Sequence, residues 1–167
     1  LNAVIPGARL LGVETQGQHW EAERLVLEVE VPSFLSQDGQ SWVADRFFGT
    51  PIGMRALGLP PLEAYLSISG RQVPLATAEA RERLEVRIKL PASADELKEG
   101  PVAFEANSGF GHVTQTFAYD RASRSVRLVI DHAVEPSTIS VADFPSFRDF
   151  AQNVALRTRN RLVLTVR

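Results

Sequence analysis

Arg83-Leu84-Glu85-Val86-Arg87-Ile88-Lys89-Leu90 decides the fold, because charged and apolar residues alternate through it without a break. On a helix the four apolar side chains would scatter around the circumference, whereas on a strand they share one face. The other face carries both signs of charge and belongs in water. This is the pattern of an antiparallel strand buried on one side; strands of a parallel sheet are apolar on both.

The same two-residue rhythm recurs along the chain. In Arg24-Leu25-Val26-Leu27-Glu28-Val29-Glu30-Val31 the odd positions are all apolar and the even ones mostly charged. Ala64, Leu66 and Ile68 alternate with Tyr65, Ser67 and Ser69, and Gly70-Arg71 turns the chain towards Val73-Pro74-Leu75. Val113 to Tyr119 and Ser125 to His132 flank Asp120-Arg121-Ala122-Ser123, a polar tetrad suited to a hairpin loop. Asp38-Gly39, between Phe34 and Trp42, supplies the left-handed backbone angles of a tight turn. The segment 161–166, Arg-Leu-Val-Leu-Thr-Val, reads as a last strand. Short strands separated by turn signals predict an all-β protein: an antiparallel β-sandwich, immunoglobulin-like in general architecture, forming one domain over residues 1–167.

One stretch departs from the rhythm. Phe144, Phe147, Phe150, Ala151, Val154 and Ala155 are spaced three and four apart, which predicts an amphipathic helix of about four turns over residues 141–158. Ser140 followed by Asp143 resembles a capping box, and Pro145 is compatible only with the first turn. Arg157, Arg159 and Arg161 stand at the far end, where cations offset the negative pole of the helix dipole. The phenylalanine stripe is expected to lie on the sandwich or to close one end of it. Residues 45–62, with Gly49, Pro51, Gly53, Gly58, Pro60 and Pro61, exclude a long helix or a central strand and supply core plugs or a docking surface.

Composition narrows the function classes. The 167 residues are 44% hydrophobic and 23% charged, as in ordinary globular domains, which excludes a disordered tail or a collagen-like rod. A chain of this length removes roughly 70% of its unfolded surface from water, enough for a core without metals or cross-links. The net charge of -2 argues against a dedicated nucleic-acid binder. The absence of cysteine removes a thiolate nucleophile, thiolate-bound zinc and any disulfide. No apolar run reaches the roughly 20 residues of a membrane span. The opening Leu1-Asn2-Ala3-Val4 has neither an initiator methionine nor a charged leader region, so the segment is expected to begin inside a longer polypeptide.

Candidate chemistry is sparse. Neither H-E-x-x-H nor G-x-S-x-G is present. Of His19, His112 and His132, only His132 has an acidic neighbour, Asp131. On a strand those two side chains point to opposite faces and do not address one reacting atom. Gly109-Phe110-Gly111 resembles the opening of a dinucleotide fingerprint, but Thr114 takes the place of the third glycine and a strand follows where the phosphate cradle needs a helix. These glycines are expected to bend the chain or form a bulge before the strand from Val113. Asp38 and Asp45 lack the oxygen-rich spacing of a calcium loop. Trp20, Trp42, Phe47 and Phe48 are the candidate ligand or interface aromatics, as core members or as a platform for stacked sugar rings. No catalytic, cofactor-binding or metal-binding residue is assigned, and no cofactor is expected.

Several features in order resemble the C-terminal β-sandwich module of bacterial transglutaminase-like proteins of the papain-fold superfamily, which carry an N-terminal domain of unknown function and a catalytic-like core. They are Arg71-Gln72-Val73-Pro74-Leu75, the alternating strand ending Leu90-Pro91, Phe110-Gly111 leading into paired strands, and Asp143-Phe144-Pro145-Ser146-Phe147-Arg148-Asp149-Phe150 opening the helix. The likeness covers residues 65–167 and, more loosely, the part before them. It implies an accessory module of a periplasmic or secreted protein, without turnover of its own, that packs against an adjacent domain. The family's activity depends on a Cys, a His and an Asp in the core domain, and none of those is carried over to a chain without cysteine. A carbohydrate- or peptidoglycan-binding module is the alternative expectation.

Overall fold

The computed structural model describes residues 9–16, 24–31, 34–44, 70–77, 80–135, 137–157 and 161–167. Contacts along the chain gather in two compact units, Leu1–Ser36 and Gln37–Arg167. In the first, β1 (Arg9–Gln16) and β2 (Arg24–Glu30) form an antiparallel ribbon with a register shift between Leu10 and Gly12.

Among the described residues the second unit holds two four-stranded antiparallel sheets. One has the order β6-β10-β9-β8, built from β6 (Ala80–Lys89), β8 (Phe104–Ser108), β9 (Gly111–Asp120) and β10 (Ser125–Val134). The other has the order β3-β4-β12-β7, from β3 (Ser36–Asp38), β4 (Ser41–Ala44), β7 (Ala94–Glu99) and β12 (Leu162–Val166). A short ribbon pairs β5 (Leu75–Thr77) with β11 (Ser137–Ile139). Among the described residues the fold is therefore all-β with one helix, α1 (Phe144–Arg157), towards the C-terminus, as the alternation and the helical period predict.

Turn chemistry fixes the local registers. Gly39 has φ 57° and closes the β3–β4 hairpin where Asp38-Gly39 anticipates it. Between β9 and β10 the carboxylate of Asp120 accepts hydrogen bonds from the backbone N–H groups of Ala122 and Ser123 and from the Ser123 hydroxyl, and Arg124 takes a left-handed φ of 49°. At Gly109-Phe110 the chain bends, the first of the two expected alternatives, and does not form a bulge. Ser108 pairs with Gly111 across a two-residue hairpin loop, so β9 starts at Gly111, ahead of Val113.

Registered strands sort their side chains by face. Val86, Leu128 and Phe117 are opposite one another across the sheet, as are Leu84, Ile130, Gln115 and Phe104. This inner face is shared by two coverings. Towards one end the Tyr119 hydroxyl donates to the Asp95 carbonyl of β7, and the Phe117 ring lies against Gly100, so the second sheet covers it. Towards the other, Phe104, Ala106 and Val113 pack with Ile139, Phe144, Phe147, Ala151 and Val154 of the following segment and helix. Burying each phenylalanine there contributes ~1.5–3 kcal/mol.

The helix starts with the first residue of its apolar period, Phe144, three residues after the expected start at 141. Ser140 accepts a hydrogen bond from the Asp143 N–H at 3.1 Å and donates to its carboxylate at 2.7 Å, holding the turn that precedes Phe144. Phe144, Phe147, Ala151, Val154 and Ala155 are buried and Phe150 is half-buried. At the far end Arg157 covers the Phe104 ring, 5.8 Å from its centroid, so this cation packs on the core as well as facing the helix dipole.

Candidate functional site

The outer face of β6 and β10 carries the densest set of charged side chains whose partners are defined. Arg87 and Arg127 stand directly opposite each other, an unfavourable pair if left alone. Glu85, two residues back along β6, resolves it. Arg127 grips its carboxylate with Nε at 2.9 Å and Nη2 at 3.0 Å, and Arg87 Nε donates to the same group at 2.7 Å. The two guanidinium groups, Arg127 first, hold the Glu85 carboxyl at about 2, well below its ordinary 4.5. One register step further, Arg83 pairs with Asp131 across the strands at 3.2 Å.

A second ionic group joins the sheets. Arg121 Nη2 donates to Asp95 at 2.8 Å and Arg167 lies 3.6 Å from the same carboxylate. The Arg121 hydrogen bond is the main cause of a lowered Asp95 pKa. Arg161 reaches Glu99 at 3.8 Å. These pairs are exposed, so each adds little stability and much orientation.

Asp131 and His132 take opposite sides of β10. Asp131 is on the outer face with Arg83, while His132 is 6% exposed on the inner face, in register with Val113. Burial pushes the His132 pKa down, opposed by Asp131 and reinforced by His112. His112 is exposed on the other face of β9, opposite Ala133. His112 and His132 therefore take opposite faces of the sheet, and His19 lies outside the described residues.

Of the candidate aromatics, Trp20, Phe47 and Phe48 lie outside the described residues, as does the whole of 45–62. Trp42 is half-buried. It stands opposite Leu164, which is wholly buried, and its Nε1 donates to the Ser93 hydroxyl at 3.1 Å. Its ring thus shares the core face of β4, with its polar atom already engaged. Among the described residues, no group of three or more His, Cys, Asp or Glu is placed to hold a metal ion, and no helix is long and apolar enough to cross a membrane.

Residue type alone does not single out the charged ladder. Its signal was partly present, since the alternation of β6 marks Arg83, Glu85, Arg87 and Lys89 as one face. What places Arg127 and Asp131 beside them is a strand pairing across some forty residues of chain, which no local pattern encodes.

Comparison with protein-family models, with curated proteins and with solved structures finds no match to this chain.

Proposed function

We propose that the chain is a non-catalytic structural and interaction module of a larger exported or cell-envelope bacterial protein, which packs on a transglutaminase-like core. The observation that carries this reading is the layout of the polar groups. Along β6 and β10 they form an ionic face in mutual pairs, and β10 parts Asp131 from His132 across the sheet. A charged face suits contact with a complementary protein surface, whereas small-molecule chemistry calls for a concave site with convergent groups. Trp42, turned to the core and bonded to Ser93, gives no support to the sugar-platform alternative.

The test compares backbone hydrogen exchange in the 167-residue segment alone with exchange in the parent polypeptide. The reading predicts that residues on one surface of 70–167 exchange at least several-fold more slowly in the parent. Superimposable exchange would overturn it.

A further inference from the structure

Only one Asp or Asn in the chain precedes a glycine, and the fold sets that pair, Asp38-Gly39, at the exposed turn from β3 to β4. Gly39 has no Cβ to shield its backbone nitrogen, and nothing lies within 4 Å of where one would stand. The Asp38 side chain is exposed, and among the described residues its carboxylate has no hydrogen bond or ion pair. An aspartate free to rotate beside an unshielded amide nitrogen is the combination that allows the two to react.

The other described aspartates are held. Asp95 is bonded to Arg121, Asp131 to Arg83 and Asp143 to Ser140, while Asp120 accepts from the N–H groups of its own loop. Asp149 lies within α1, where backbone N–H groups are committed to the helix ladder. Each of these is also followed by a residue with a side chain.

We propose that Asp38-Gly39 is a site of spontaneous backbone isomerisation, whose isoaspartyl product loosens the adjoining contact between β4 and β12. With the carboxyl in its acid form, the Gly39 nitrogen attacks Asp38 Cγ. The N–Cγ bond forms, and the acid hydroxyl leaves with the amide hydrogen as water, closing a five-membered succinimide. Water then adds to one of the two ring carbonyls. Opening at Cγ restores aspartate, whereas opening at the former main-chain carbonyl leaves the chain running through Cβ and Cγ. One water is lost and one regained, so the mass is unchanged and nothing is oxidised or reduced. The product carries one more main-chain carbon at a turn that includes Gln40, whose carbonyl accepts the Val166 N–H of β12 at 2.9 Å. Lengthening the turn displaces that carbonyl.

The test incubates the folded 167-residue chain for several weeks at physiological temperature and neutral pH, then digests it with trypsin and follows the fragment 25–46 by reversed-phase chromatography. The isomer is expected as a second peak of the same mass, several-fold larger than in fresh protein. A protease that cuts before ordinary aspartate should fail on it at Asp38 and still cut at Asp45. Asp38→Glu, whose ring would need six members, should lose the peak, and Asp38→Asn should form it several-fold faster with the mass gain of deamidation. In the incubated chain a matching fraction of molecules should exchange the Val166 amide several-fold faster. Absence of the second peak, its persistence in Asp38→Glu, or isomer formation with Val166 exchange unchanged would overturn the proposal.

Discussion

The ring of Phe117 packs against Gly100 so closely that a Cβ at that glycine would stand 2.7 Å from the ring's Cε1. This contact seats the inner face of β9 over the end of β7, and no residue larger than glycine fits without moving the ring. Gly100→Ala is expected to destabilise the chain by ~1–3 kcal/mol as the ring is displaced. The change appears as a lower urea midpoint with the slope preserved. An unchanged midpoint would show that Phe117 has room to give.

The β8–β9 hairpin offers a sharper contrast between two glycines two residues apart. Gly111 has φ 151°, and a Cβ there would meet the Ala133 carbonyl oxygen at 2.1 Å, whereas nothing lies within 4 Å of one at Gly109. Gly111→Ala must force β9 and β10 apart and is expected to cost more than ~3 kcal/mol. Gly109→Ala should stay within about 0.5 kcal/mol of the parent. Equal effects at the two positions, measured by thermal unfolding, would refute this close approach of the two strands.

The helix depends on its seat more than on its cap. Ser140→Ala removes the hydroxyl that accepts from Asp143 N–H and is expected to cost ~0.5–2 kcal/mol. Phe147→Ala empties a fully buried position edge-on to Phe110, their centroids 5.5 Å apart, and should cost ~3–5 kcal/mol. Denaturant titration of both variants checks the order.

Two groups give the stability a pH dependence of one sign. The Glu85 pKa is lowered on folding, so its arginine contacts stabilise the fold above 4.5 and are lost as pH falls from there towards about 2. Being solvent-screened, this accounts for at most ~1 kcal/mol. His132 is also lowered, from 6.5, because burial disfavours its cation. The unfolded chain therefore takes up a proton first, and stability declines once pH drops below 6.5. Urea midpoints across the pH range should fall in two windows. His132→Gln should remove the upper one, and Glu85→Gln should shrink the lower, which Asp95, Glu96 and Asp120 share through their own lowered pKa values.

Most of the frame was legible because its signals are local. The alternation in β6, the Asp38-Gly39 and Asp120–Ser123 turns and the phenylalanine spacing of α1 each lie within one element. β7 was obscured by its irregular pairing: in Ala-Asp-Glu-Leu-Lys-Glu only Ala94 and Leu97 are apolar, and they are spaced by three. Gly109-Phe110 reads equally as a bend or a bulge because sequence distance does not tell a two-residue loop from an interrupted strand; only the Ser108–Gly111 pairing does. The ionic face was half-visible for the same reason, since Glu85 could be placed on a surface but its grip by Arg127 depends on long-range register.

The cysteine-free chain makes one measurement especially direct. Single cysteines placed in turn at 83 to 89 in β6 and at 127, 128, 131 and 132 in β10 report side-chain exposure through their rate of reaction with a maleimide. Thiols at 83, 85, 87, 89, 127 and 131 should react fast, those at 84, 86 and 88 several-fold more slowly, and those at 128 and 132 only on unfolding. A three- or four-residue period in the rates, or rapid labelling at 128 and 132 in the folded chain, would contradict a sheet with its ionic ladder outside and its apolar row within.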